Sequence, residues 1–222
     1  MGQVLLAVVE IFALLTAVQG LQYIAYLDDG IFANIHNCIW FIFAILGNGF
    51  GLVAILLEWW EGRSSTGGLG LKTLQALQYH YFFSWMDVLV GYAALVTQTW
   101  LCYHQRMRMS HVHLALIGIP IVAWLKRKSS LIVITTQVVT LLAILSHSVI
   151  SISAGNWWSF IGSVLMGLTL IAMSLPVRYT FFTSEFSTRE AAVLLSGFAS
   201  FVFPCAIGVE AKYHKSLRKV FP

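Results

Sequence analysis

IFANIHNCIWFIFAILGNGFGLVAILL, residues 31–57, runs without a single Asp, Glu, Lys or Arg. Only a segment that satisfies its own backbone hydrogen bonds crosses the roughly 30 Å hydrocarbon core of a bilayer, and a helix of about 20 residues does so. Outward from this stretch the same pattern recurs. Val4–Leu27 precedes it; Tyr81–Tyr103, Val112–Leu125, Leu131–Ala154, Trp158–Leu175 and Ala191–Glu210 follow. The fold expected is therefore all-α: a polytopic integral membrane bundle of seven transmembrane helices, forming a single domain over residues 1–222. The fourth run is short and carries Pro120, so it crosses only if Met107–His111 extend it, and is otherwise a half-span.

Composition agrees. Of 222 residues, 59% are hydrophobic and 10% charged, with a mean hydropathy of +0.81. Soluble domains carry about 25% charged residues, so an ordinary soluble enzyme and a disordered chain are both excluded. The net charge of +4 belongs to loops facing headgroups, and no nucleic-acid partner is implied. Met1-Gly2-Gln3 lacks a basic leader, and the apolar run after it is too long for the core of a signal peptide, so no cleaved signal is expected. Seven basic residues (Arg63, Lys72, Lys126, Arg127, Lys128, Arg178, Arg189) fall on one side and six on the other, which leaves orientation open. Weighting the Lys212–Lys219 cluster places the C-terminus in the cytosol.

Between the runs, Arg63-Ser64-Ser65-Thr66-Gly67-Gly68 reads as a turn, and Leu71–Tyr79 as a short interfacial helix. Ser187 with Glu190 three residues on fits a capping box at the start of the last span. Trp59, Trp60, Trp157 and Trp158 fall at span ends, as an aromatic belt requires. The glycines of Gly47-Asn48-Gly49-Phe50-Gly51 close an apolar span and mark a bend or a close packing point; Pro204 marks a kink in the last span.

Ionisable groups inside spans cost about 2.5–3.5 kcal/mol on insertion scales, which makes Glu10, His36, Asp87 and His147 the residues to explain. Alternating span direction sets Glu10 and Asp87 at one level, and His36 and His147 near the opposite face. Helical spacing gathers small and polar residues into stripes: Ala7, Glu10, Ala13, Ala17 and Gly20; Asn34, Asn37, Ala44, Asn48 and Gly51; His80, Ser84, Asp87, Gly91, Ala94 and Gln98; Thr136, Thr140, Ala143, His147 and Ser151. Small residues let helices approach and polar ones hydrogen-bond across the contact. One reading makes these stripes packing contacts, with both acids bonded to neighbours. The other makes Glu10 and Asp87 a carboxyl pair in a desolvated cavity, one of them held as an acid.

No metal site is expected. His36 and Cys38 stand two residues apart and face different ways on a helix, and the three cysteines imply no disulfide framework. No cofactor is implied; a single haem between His36 and His111 or His113 is the arrangement that depth would permit. Phosphate loops, a nucleophile elbow and a His-Glu-x-x-His motif are all missing.

Asn48-Gly49-Phe50-Gly51 closing span two, Leu77-Gln78-Tyr79 opening span three, and Ser159-Phe160 with Ser174-Leu175-Pro176 at the two ends of span six resemble the pattern of the myomaker-like seven-span membrane proteins, related to ceramidases and progestin receptors. The resemblance covers about a fifth of the chain. It implies a seven-helix bundle acting in membrane remodelling or cell–cell fusion. The metal-ligand histidines of that superfamily are missing: Leu46-Gly47 takes the place of the first, and spans six and seven contain none. Asp87 would stand for its span-three acid, which alone cannot hold zinc. Asn37-Cys38-Ile39-Trp40 is also similar to a span-two motif of the fungal membrane-bound terpene cyclases, but Phe41 occupies the position of the acid expected after the tryptophan.

Three functional expectations follow. The first is a non-enzymatic multi-pass protein acting through its surfaces in remodelling or fusion. The second is an intramembrane enzyme on a lipid or isoprenoid, with Glu10 and Asp87 as acid–base groups assisted by Ser84 or His80. The third is a small transporter relaying through Asp87 and His147. The partners expected are membrane lipids, with a hydrophobic small-molecule substrate and a homo-oligomer left open.

Overall fold

A computed structural model of the chain describes residues 2–27, 34–61, 69–104, 110–175 and 187–220. The helices are α1 (Gly2–Ala25), α2 (Ile35–Glu61), α3 (Leu71–Met86), a π-turn (Asp87–Gly91), α4 (Tyr92–His104), α5 (Val112–Leu116), α6 (Gly118–Leu125), α7 (Ser129–Ser153), α8 (Trp157–Ser174) and α9 (Thr188–Val220). The all-α bundle expected from the hydropathy pattern is the fold observed. Five helices, α1, α2, α7, α8 and α9, are each long and apolar enough to cross a membrane. The chain is a multi-pass integral membrane protein.

Two runs depart from the expected spans. Leu71–Tyr79 is not a separate interfacial helix. It continues without a break through α3, the π-turn and α4, stretches of 16, 5 and 13 residues, because no Gly or Pro interrupts Leu71–Trp85 and the face carrying Thr73, Ala76 and His80 is buried. The short fourth run is jointed at Ile117, where α5 ends and α6 begins. Pro120 lies in the first turn of α6, the part of a helix that tolerates a residue without an N–H. Of Met107–His111, the residues expected to lengthen this run, 107–109 lie outside the described residues, as do the glycine-rich turn at 63–68 and Arg178.

α1 packs between α2 and α9, α8 lies along α9 and α7, and α2 runs beside α3 and the π-turn. The predicted stripes face these contacts. Ala13, Ala17, Ala44, Ala94, Ala143 and Ser151 are all buried, while Leu15, Val53, Leu145 and Ile171 are exposed, as side chains facing acyl tails should be. The glycine cluster of α2 is a packing point and not a bend: the helix runs through it, with Ser84 against Gly47 and the Glu10 carboxylate against Gly51. Trp59, Trp60, Trp157 and Trp158 are exposed at helix ends, as the belt required.

The core centres on Trp40, Phe41, Tyr92 and Phe203, all fully buried. Trp40 meets Tyr92 and Phe203 edge-on, with ring centroids 5.9 and 5.5 Å away. Gly155, in the left-handed region at φ 68°, ends α7. The amides of Gly155 and Asn156 turn back to the carbonyls of Ile152 and Ser151. That turn delivers Asn156 as the cap of α8, its side chain accepting from the Ser159 amide. At the start of α9, the Ser187 amide donates to the Glu190 carboxylate, the expected reach-back of a capping box.

Candidate functional site

A cavity of about 260 Å³ lies between α2, α3, α8 and α9. Phe43, Ala44, Gly47 and Asn48 line it from α2; His80, Tyr81, Ser84, Asp87 and Val88 from α3 and the π-turn; Thr169, Ala172 and Met173 from α8, with Leu175 just beyond; and Thr188, Arg189, Ala192, Val193 and Ser196 from α9. Most of this surface is apolar. Among these lining residues Asp87 is the only carboxylic acid and Arg189 the only Lys or Arg.

Asp87 opens the π-turn. Its amide is shared between the carbonyls of Phe83 and Ser84, and its own carbonyl accepts from the Tyr92 amide five residues on. Such a wide turn adds a residue to the helix without breaking it, and π-turns recur at functional sites. Here the extra residue brings Gly91 against the Trp40 backbone and the Asp87 carboxyl. Asp87 is 5% exposed, and its Oδ1 has no hydrogen-bond partner among the described residues.

Ser84 and His80 stand one and two turns before Asp87 on the same stripe. His80 Nδ1 is 2.8 Å from the Gly47 carbonyl oxygen. A carbonyl only accepts, so Nδ1 carries the proton, and in the neutral ring Nε2 is the bare acceptor. That Nε2 faces Glu10 Oε1 at 3.9 Å, and Arg189 Nη2 lies the same 3.9 Å from this oxygen. Glu10 is fully buried, and neither of its oxygens has a hydrogen-bond partner among the described residues.

The expected carboxyl pair is therefore not assembled. Glu10 sits at the level of His80, and Asp87 lies seven residues further along the helix, about 10 Å at 1.5 Å per residue. Glu10 is not among the residues lining the cavity and is reached through His80 and Arg189. Counting turns from span ends could not give this, because the third span begins ten residues earlier than its apolar run. Arg189 is the residue sequence reasoning missed. It counted as a loop charge beside a capping box, yet its guanidinium lies against Glu10 and 5.9 Å over the Tyr81 ring.

The second polar stripe has a different character. His147 is fully buried, with Tyr92 Oη 2.9 Å from Nδ1 and Ser159 Oγ 2.7 Å from Nε2. Ser151 Oγ bonds both the His147 carbonyl and Ser159 Oγ. His36, near the same end, pairs with Gln98 at 3.1 Å and meets the His111 ring at 6.1 Å. His113 instead bonds Ser146. Among the described residues no three of His, Cys, Asp and Glu converge as metal ligands. The three cysteines are free. Glu210 is a further buried acid, taking the Thr99 hydroxyl at 3.0 Å; it lies inside α9 because that helix runs on to Val220.

Compared with known proteins, the chain matches no family model, no curated protein and no solved structure.

Proposed function

We propose that this multi-pass membrane protein holds an apolar small molecule of the lipid or isoprenoid class between α2, α3, α8 and α9, and that Asp87 acts on it as an acid–base group. The observation that carries the reading is Asp87 itself. It is a buried carboxyl with an unengaged oxygen, on the wall of an apolar cavity, at the one π-turn among the described residues. A carboxyl oxygen left unbonded in the membrane interior is costly, and a ligand that brings a basic oxygen or nitrogen to the Asp87 carboxyl offsets that cost. In the acid form Asp87 gives its proton to that atom, and the resulting carboxylate recovers one from the product. Ser84, one turn away on the wall, orients the bound group through its hydroxyl. His80, at the other end of the wall, and Glu10 behind it are positioning residues.

Remodelling or cell–cell fusion rests on the family resemblance alone, and the cavity does not speak for it. A relay from Asp87 to His147 is not favoured, since His147 is not among the lining residues and both its ring nitrogens are engaged.

Asp87→Asn tests the proposal. It should insert and purify like wild type while losing turnover of a co-purifying lipid or isoprenoid by about 100-fold or more, the range expected for removal of a general acid. The ligand is identified by native mass spectrometry of the detergent-solubilised protein. Unchanged turnover in Asp87→Asn, or wild-type protein carrying no bound ligand and converting none from a lipid extract, would end the proposal.

A further inference from the structure

This inference rests on the proposed ligand cavity and concerns what the ligand carries. Where α9 begins, the cavity is bounded by a cation whose hydrogen bonding is incomplete. Arg189 Nε and Nη2 are buried with no acceptor among the described residues. The 3.9 Å to Glu10 Oε1 is an ion-pair distance, beyond the roughly 3.2 Å limit of an N–H···O bond. A guanidinium offers five N–H donors in a planar fork suited to carboxylate or phosphate oxygens. Glu10 itself is equally incomplete, with both oxygens unbonded among the described residues. Arg189 lines the cavity and Glu10 does not, so the guanidinium stands between an acid behind the wall and the space in front of it.

Whatever occupies that space must bring acceptors to Arg189 and apolar surface to Phe43, Val88, Ala172 and Met173. We infer that the occupant is an amphiphile with an anionic head, a phosphate or carboxylate, that engages Arg189, and that Glu10 is the resting counter-ion from which it draws the guanidinium. Asp87, about 10 Å deeper by helix rise, then faces the body of the ligand. The ligand class is thereby narrowed to molecules with an anionic group at one end and a protonatable atom about 10 Å along the chain.

The test uses the purified full-length protein in a neutral maltoside detergent, titrated with octyl phosphate, octanoate, octyltrimethylammonium, octanol and inorganic phosphate. Thermal unfolding and direct binding are the readouts. Octyl phosphate and octanoate should bind saturably and raise the melting temperature, and the cationic probe and inorganic phosphate should not. Arg189→Gln should weaken octyl phosphate about tenfold or more, the loss of a charge-assisted hydrogen-bond pair. Arg189→Lys should retain part of the affinity, and Glu10→Gln should tighten binding because the competing carboxylate is gone. If octanol binds as tightly as octyl phosphate and Arg189→Gln changes neither, the anionic head is wrong while the cavity reading stands. If inorganic phosphate matches octyl phosphate, the ligand is a soluble anion and the amphiphile is wrong. If no probe binds, the inference and the cavity reading fall together. Preference among the probes in wild-type protein decides the matter even if Arg189→Gln fails to fold.

Discussion

Asp87 and His147 occupy equivalent places in two polar stripes, and their neighbours give them opposite roles. His147 has a hydroxyl on each ring nitrogen, from Tyr92 and Ser159, and is closed off from every cavity wall described. It is packing chemistry. Removing one partner leaves a buried nitrogen unpaired, so Ser159→Ala should lower unfolding stability in detergent by about 1 kcal/mol, given that membrane hydrogen bonds average about 0.6 kcal/mol and reach about 1.7. Ligand binding should be unchanged, and a stability loss above twice that figure would assign the network a larger role. The stripe pattern in the sequence made both residues visible. It could not separate them, because whether a polar atom finds a partner depends on the helix packed against it. For His147 that partner comes from α8 and α4; for Asp87 Oδ1 no described residue supplies one.

At the scale of the element, the π-turn is what sets Asp87 apart. The run from α3 to α4 has helical hydrogen bonding on both sides of one inserted residue, and Val90 is the least buried member of the turn. Deleting Val90 should restore a regular α-helix with both flanks still in register. The expected protein inserts, purifies and keeps the Tyr92–His147 contact, but binds octyl phosphate and any native ligand more weakly because the wall around Asp87 is redrawn. Full retention of binding would show that the turn is incidental to the site. The glycines of α2 make a second prediction at this scale. A Cβ on Gly47 would lie 3.1 Å from Ser84 Oγ and 3.3 Å from the Ser84 backbone nitrogen, so Gly47→Val should push α2 from α3 and lower stability by about 1–3 kcal/mol. Gly49 has nothing within 4 Å of that position, and Gly49→Ala should instead be neutral or slightly stabilising through helix propensity. Melting curves of the two variants in one detergent compare them directly.

Across the whole molecule, lipid-facing and inward-facing surfaces are reported by the three thiols. Cys38 and Cys102 are buried, and Cys205 is exposed. A small apolar maleimide should label one thiol in the folded, detergent-solubilised protein and three after unfolding, and Cys205→Ser should abolish the native label. Two fast-reacting thiols in the native state would mean that the bundle is packed otherwise. Turning Arg189 inward also changes the charge balance between the two sides from seven against six to six against six, so a cytosolic C-terminus remains a proposal resting on Lys212–Lys219.

The medium, the helical class and the inward stripes were all determined by the sequence, since each depends on the local count of apolar residues and on the 100° step between neighbours. Both are properties of a chain segment taken alone. The joint at Ile117, the union of Leu71–Tyr79 with the third span and the π-turn at Asp87 depended on packing, because nothing in residue identity marks where a continuous helix takes an extra residue. The meeting of Glu10, His80 and Arg189 was likewise decided only in three dimensions. It joins residues from the first, third and last helical runs at one depth, and that depth follows from how far each helix extends past its apolar run before the chain turns.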